Sequence, residues 1–582
     1  MSSRRPSAAL AALVIVVAAC AGPVTTGAPF ALPSATASRA ATSRSAPSAD
    51  VTPPACPARP DAAPADTIPW WTDRVFYEVF VRSFADSDGD GIGDLAGLTA
   101  RLDELNDGDP STTTDLGVTA LWLMPVAASP SYHGYDVTDY LKVEPDYGTN
   151  DDFKALIAAA HDRGMEIIVD LVINHTSVEH PWFQEASQRG SAREDWYLWA
   201  DEHPGFGGPS GRPVWHANGD RWYYGYFWEG MPDLNVANPD VTAELDRIAT
   251  FWLAEMGASG FRLDAARHLI EDGATLENTP ATFAWLEGFR ARTQATEPEA
   301  LVLGEVWDAT SNAARYVREG ALDLTFDFGL ASQILSAVRF GDPGSLGIVQ
   351  SEVSAAYPVG GYAAFLTNHD QDRTFDVLQR DIPSAKQAAT LLLTNPGIPF
   401  IYYGEEIGLR GRKPDEKIRT PMPWTAEAPG YGFTDGVPWA AMAEDVATTN
   451  VASETGDPDS LLSHYRSLIA LRAAHPALGV TGSLTPLESS VKGVYAVLRH
   501  DAATGESIVV ISNLSKEPVT DIRLSLLDGP LCGMPAAVVA LRSPAGVPEP
   551  PEGLVINAAG GFDGWLIGTM APHQDLIVTL RQ

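Results

Sequence analysis

Strand-like apolar runs recur along the chain from Val75 onward: VFYEVFVRSF (75–84), VTALWLMPV (118–126), MEIIVDLVINH (165–175), GFRLDAA (260–266), LVLGEVW (301–307), LDLTFDF (322–328), YAAFLTNHD (362–370) and IPFIYYGEE (398–406). Between them lie segments such as DDFKALIAAAHDRG (151–164) and VTAELDRIATFWLAEMG (241–257), whose apolar residues return every three to four positions, the period of an amphipathic helix. Eight strands alternating with helices predict a closed parallel barrel, the (β/α)8 or TIM barrel of the α/β class. One interval breaks the rhythm, between the third and fourth runs. Its first part, 176–235, is rich in Trp, Tyr, Gly and Pro and reads as an inserted subdomain. After LLSHYRSLIALRAAHPAL (461–478) the pattern changes to short runs such as GVYAVLRH (493–500) and SIVVISNL (507–514), which predict a C-terminal antiparallel β-sandwich. The barrel is therefore expected over 67–175 and 236–478, the insert over 176–235 and the β domain over 479–582.

The N-terminal stretch follows another pattern. Arg4 and Arg5 precede an apolar run from Ala8 to Ala19 that is too short to span a bilayer permanently, and Cys20 follows it. Val17-Ala18-Ala19-Cys20 resembles a bacterial lipobox, which implies a signal peptide over 1–20. Cys20 would then carry the lipid that anchors an extracellular protein to the membrane; an ordinary secretory signal is the alternative. Residues 21–66 are mostly Ala, Pro, Ser and Thr, a composition that cannot bury a core and predicts a flexible tether.

At 582 residues the chain is too long for one compact core. Its 75 acidic and 39 basic residues give a net charge of −36, which argues against nucleic acid or an anionic membrane surface as partner and fits a neutral or cationic ligand. Of three cysteines, Cys56 and Cys532 remain once Cys20 is set aside, and in an oxidising exterior they are expected to pair.

Polar residues collect at the C-terminal ends of the predicted barrel strands: Asp170 through Asn174 and His175, then Arg262 and Asp264, then Glu305, then His369 and Asp370. That face of such a barrel is where active sites are built. Three carboxylates, Asp264, Glu305 and Asp370, suit acetal chemistry, in which one carboxylic acid protonates the leaving oxygen and another carboxylate meets the oxocarbenium-like carbon. Arg262 beside Asp264 is expected to keep that carboxylate ionised, and Glu305 to hold its proton in a drier or more negative place. A second signal is DSDGDGIGD (86–94). Its alternating Asp86, Asp88, Asp90 and Asp94, with Gly91 for a sharp turn and the carbonyl of Ile92, suit a calcium ion, although position 12 of the loop is Gly97 and not the Glu of an EF-hand.

DLVINH (170–175), GFRLDAARH (260–268), GEVW (304–307) and FLTNHD (365–370) resemble the four signature regions of the α-amylase family of glycoside hydrolases, in that family's order. The resemblance implies a retaining hydrolase of α-glucans such as starch and maltodextrin. Asp264 would be the nucleophile, Glu305 the general acid/base and Asp370 the carboxylate that holds the distorted sugar. It further implies that His175 and His369 hydrogen-bond that sugar, that Arg262 sits against Asp264, that Tyr135 stacks beneath the sugar with His133 beside it, and that Arg267 and His268 contact the leaving-group side. The family usually has Lys where Arg267 stands. Members with the acidic loop bind calcium there, and a second calcium would involve Asn174 and the carbonyl of His268. MPDLN (231–235) lies between the QPDLN of oligo-1,6-glucosidase types and the MPKLN of neopullulanase types, so the linkage preference stays open. A glucanotransferase or cyclomaltodextrinase could use the same site, and a glucan-binding surface protein on an inactive barrel is the rival of another class.

Overall fold

The computed structural model describes residues 53–56, 68–533, 537–542 and 553–581. The expected leader, Cys20 and most of the tether lie outside these residues. Among the described residues no helix is long and apolar enough to cross a membrane.

The predicted barrel is present. Its strands are β1 (Phe76–Val79), β2 (Ala120–Leu123), β3 (Glu166–Leu171), β4 (Gly260–Leu263), β5 (Leu301–Gly304), β6 (Leu324–Phe326), β7 (Tyr362–Ala364) and β8 (Ile398–Tyr402). They pair in parallel in the closed order β1-β8-β7-β6-β5-β4-β3-β2. Residues i and i+2 of a strand share a face. Phe76, Ala120, Ile168, Leu303, Phe326, Ala363 and Phe400 accordingly meet in one apolar cluster drawn from alternate positions of the strands. Two residues on, the same face turns polar at Glu78, Asp170, Arg262 and Glu305. The register sets Asp170 of β3 directly opposite Arg262 of β4 and places Leu303 of β5 on the other side of Arg262. Gly260 opens β4 at φ 153, and a Cβ there would lie 2.3 Å from the Leu301 carbonyl oxygen, so a glycine allows this close pairing.

The strands are shorter than the apolar runs suggest: those carrying Glu78, Asp170 and Arg262 each end one residue beyond that polar side chain. Immediately after Asp264, Ala265 takes a left-handed φ of 51°, a costly conformation for a residue with a Cβ and one that ends β4. The helix expected over 151–164 runs Asn150–His161, closed at its start by a capping box between Thr149 and Asp152. The one expected over 241–257 runs Pro239–Thr250 and then widens into a π turn, Phe251–Glu255, where buried Trp252 donates its indole N–H to the Tyr140 carbonyl at 2.9 Å.

Between β3 and β4 the insert forms a three-stranded sheet of Trp199–Ala200, Arg221–Tyr224 and Trp215–Asn218. The C-terminal region holds a five-stranded and a three-stranded antiparallel sheet, joined by a shared core that includes Leu498, Val509, Ile511, Leu524, Phe562 and Trp565. The expected disulfide is also present: Cys56 is bonded to Cys532 across 476 residues, and beside it the Gly533 N–H donates to the Pro54 carbonyl at 3.0 Å.

Candidate active site

Arg262 is wholly buried. Its Nη1 lies 2.8 Å from both oxygens of Asp170 and 2.8 Å from Oδ1 of Asp264, and its Nη2 lies 2.9 Å from Oε2 of Glu305. One guanidinium therefore gathers three carboxylates from β3, the end of β4 and the end of β5, over the face of Trp122 at 5.2 Å. Glu305 also accepts the N–H of Ala265 at 3.2 Å, so the left-handed turn after Asp264 helps to aim it.

The third expected carboxylate is held by two other cations. His369 Nε2 stands 3.2 Å from Asp370, and Arg419 Nη2 stands 2.9 Å from it while Arg419 Nε donates to the His369 carbonyl. The other ring nitrogen of His369, Nδ1, meets Glu78 at 2.5 Å. Tyr135 ties the two groups together: its hydroxyl donates to Asp170 at 3.0 Å and lies 2.7 Å from His369 Nε2, and its ring stacks on the imidazole at 5.5 Å.

These contacts set the protonation states. Burial pushes Glu305 up, and the negative charges of Asp264 and Asp370 add to it against the pull of Arg262. Asp170, buried beside the same guanidinium, is raised to about 7. Asp264 is raised as well, contrary to the expectation from Arg262 alone, because burial and Asp370 outweigh a cation that three carboxylates share. Asp370 goes the other way. Burial opposes its charge, but His369 and Arg419 hold it well below the usual carboxylate range. Burial disfavours charge on His369 too, yet Asp370 and Glu78 raise it to about 9 and keep it cationic.

The remaining expected contacts are spread around this centre. His175 is buried, pushed down to about 4 by burial, and its Nε2 is engaged with the Tyr135 carbonyl at 3.1 Å. His133 is part-exposed, and its Nδ1 accepts the Tyr135 N–H at 3.1 Å. Arg267 donates to His268 Nε2 at 3.1 Å and reaches Glu277 and Asp308 at 3.3 and 3.5 Å. His268 stacks on Tyr226 at 4.1 Å and, held near 4 by burial, is a neutral ring. Arg267, His268 and Glu305 line one cleft together with Tyr226, Phe227 and Trp307. The ring of Trp307 lies flat on Phe328, 4.5 Å away, and is 45% exposed. Sequence reasoning did not single out Glu78, Arg419 or Trp307 as site residues.

Asp86, Asp88 and Asp94 bring carboxylate oxygens within 4.8 Å of one another, and among the described residues no lysine or arginine pairs with any of them. Asp86 accepts the N–H groups of Asp88, Gly89 and Gly91 and the Thr434 hydroxyl, which together overcome its burial and lower it. Asp90 stands outside this trio and accepts the N–H of Ile92 at 2.7 Å. Three close carboxylates without a protein cation fit a hard divalent ion. Near Asn174 the second expected site also has fitting donors. The Asn174 Oδ1 is buried without a hydrogen-bond partner, its Nδ2 donates to Asp233 at 3.1 Å, and burial and Glu271 raise Asp233 strongly. The Tyr226 N–H that holds Asp233 belongs to the ring stacked on His268.

A family model described as "Alpha amylase, catalytic domain" matches residues 78–481. "Alpha-amylase 3" of Dictyoglomus thermophilum is 39% identical over 457 residues, covering 77% of this chain and 86% of its own. "Trehalose synthase/amylase TreS" of Mycolicibacterium smegmatis is 32% identical over 523 residues, covering 78% and 86%. Among solved structures, the alpha-amylase from H. orenii superposes with a TM-score of 0.75 at 40% identity, covering 88% of this chain and 100% of that one.

Proposed function

The chain belongs to the α-amylase family of glycoside hydrolases, and from that premise we propose that it cleaves the α-1,4-glucosidic bonds of starch and maltodextrins with retention of configuration. The observation that carries this reading is Arg262 ion-paired through its two terminal nitrogens to both Asp264 and Glu305. Such sharing favours the short separation, about 5–5.5 Å, of a retaining pair.

In this reading Glu305 enters protonated and gives its proton to the glycosidic oxygen as that oxygen leaves the anomeric carbon. Asp264 attacks the same carbon and forms a covalent glycosyl-enzyme. Glu305, now a carboxylate, takes a proton from a water that attacks the anomeric carbon and releases Asp264. Asp370, kept ionised by His369 and Arg419, accepts hydrogen bonds from two neighbouring hydroxyls of the bound sugar. Tyr135 offers the flat surface beneath it, fixed from behind by His369. Arg267, His268 and the half-exposed ring of Trp307 lie on the Glu305 side, where the leaving group departs.

Calcium belongs to the same proposal. Asp86, Asp88 and Asp94 would hold it in the loop after β1, and a second ion would sit at Asn174 and His268, between barrel and insert. Such an ion supplies rigidity to the loops around the site. Removing it with EDTA is expected to lower the melting temperature by about 5 °C or more, read by scanning fluorimetry, with recovery on adding CaCl2; an unchanged melting curve would remove a structural cation from these residues. Export also belongs here. The lipobox-like residues 17–20 support a lipid anchor, and a disulfide of the kind oxidising compartments maintain supports an extracellular location.

Incubation with soluble starch, pullulan, β-cyclodextrin and maltotriose tests the activity. Starch is expected to yield short maltooligosaccharides that appear first as α-anomers by ¹H NMR. Initial β-anomers would overturn retention. Longer oligomers formed from maltotriose would move the reading to glycosyl transfer, and inertness towards all four would remove glucan hydrolysis.

A further inference from the structure

The insert carries a second aromatic groove of about 540 Å³, separate from the cleft that Glu305 lines, within the size range of small-ligand sites. Its walls include Trp215, His216, Trp222, Tyr223, Trp228 and Glu229. Trp228 is 54% exposed, unusual for the largest apolar side chain, and yet it is not loose. Its ring lies against Gly230, where a Cβ would fall 2.0 Å from Cζ3, so one face is seated on backbone. The Tyr223 hydroxyl, bonded to the Glu229 carbonyl at 2.5 Å, pins the same short loop to the insert sheet.

We propose that this groove is a secondary binding site for an α-glucan chain, with Trp228 as its platform; the ligand class rests on the function proposed above. A rigid, solvent-facing indole suits the C–H face of a neutral sugar. Hydroxyl partners stand beside it. The Glu229 carboxylate is exposed, and the His216 ring is fixed in place by its Nε2–H, which donates to the Gly225 carbonyl at 3.0 Å. The chain's charge of −36 disfavours an anionic ligand and leaves a neutral one unaffected. Continuity with the active cleft identifies the occupant: Tyr226 and Phe227 line the cleft, and the next three residues, Trp228, Glu229 and Gly230, line the groove. A long glucan held at Trp228 is thereby retained next to the bond-breaking site, whereas a trisaccharide in the cleft gains nothing from it.

Affinity electrophoresis through gels containing glycogen reads binding apart from hydrolysis when the full chain carries Asp264→Asn. Adding Trp228→Ala is expected to weaken retention by about tenfold, while Trp228→Tyr keeps most of it. In the active protein, Trp228→Ala is expected to raise KM for soluble starch several-fold and to leave kcat/KM for maltotriose unchanged. Equal retention of the parent and Trp228→Ala, or equal loss on both substrates, would overturn the site. A Trp228-dependent dimer in sedimentation would assign the groove to a second copy of the chain and overturn it equally. Failure of the function proposed above has a different signature, the absence of hydrolysis by the unmodified protein.

Discussion

Replacing Asp264 by Asn is expected to reduce kcat on soluble starch by about 10⁴- to 10⁶-fold, as removal of a covalent nucleophile does elsewhere, while the melting temperature holds or rises. Both halves follow from Arg262. Asp264 is one of three carboxylates on a single buried guanidinium, and burial raises it above the ordinary carboxylate range. A carboxylate raised on folding lowers stability as pH climbs from its unfolded to its folded value, and the penalty is complete above the latter. The uncharged amide escapes that penalty, so the gain in stability should be largest at neutral pH and fade in acid. Arg262 keeps Asp170 and Glu305, so no cation is stranded. Starch hydrolysis and thermal melts at pH 5 and 7.5 check the two halves; residual activity within tenfold of the parent would remove Asp264 as nucleophile.

Arg262→Leu should be the most destabilising change at this site. It leaves Asp170, Asp264 and Glu305 buried together without their shared cation, and breaking a buried ion pair from one side costs about 3–5 kcal/mol. At the unfolding entropy usual for a barrel of about 400 residues the melting temperature should fall by roughly 5 °C. The loss should shrink at pH 5. Stranded carboxylates have folded values far above their unfolded ones, so their cost is incurred as pH rises and is relieved when they are protonated. Denaturant melts at pH 5 and 8 provide the measurement, and a loss of equal size at both would show that packing against Trp122, rather than charge, is what Arg262 supplies. Arg262→Lys is not expected to rescue activity, because an ammonium cannot span three carboxylates as the planar fork does.

The barrel and its polar rim were legible because two periods carry them. Alternation places Arg262 and Asp264 on one face whatever surrounds them, and the runs of apolar residues at regular intervals specify a closed parallel sheet. Glu78 obeys the same rule, as the one carboxylate in VFYEVF and two residues after Phe76, but no motif of further polar residues surrounds it. Arg419 had no such signal. It lies in a long irregular segment after β8, and only the folded chain brings it 2.9 Å from Asp370, 49 residues away. The direction of the Asp264 shift was also beyond local reading. Proximity of Arg262 predicts a lowered carboxylate, but the outcome depends on how many neighbours share that cation, and Asp170 reaches it from another strand.

The Cys56–Cys532 bond has a topological consequence. Together with the backbone between its ends it closes a covalent ring of 476 residues' separation that contains the whole barrel. Everything N-terminal to Cys56 hangs from that ring at a point on the C-terminal β domain. A protease that cuts between Cys56 and the start of the barrel therefore opens the ring without releasing either piece: the leading segment stays attached through Cys532 until a reductant acts as well. If that segment carries a lipid, shedding the enzyme from its anchor by such a cut is a two-key operation.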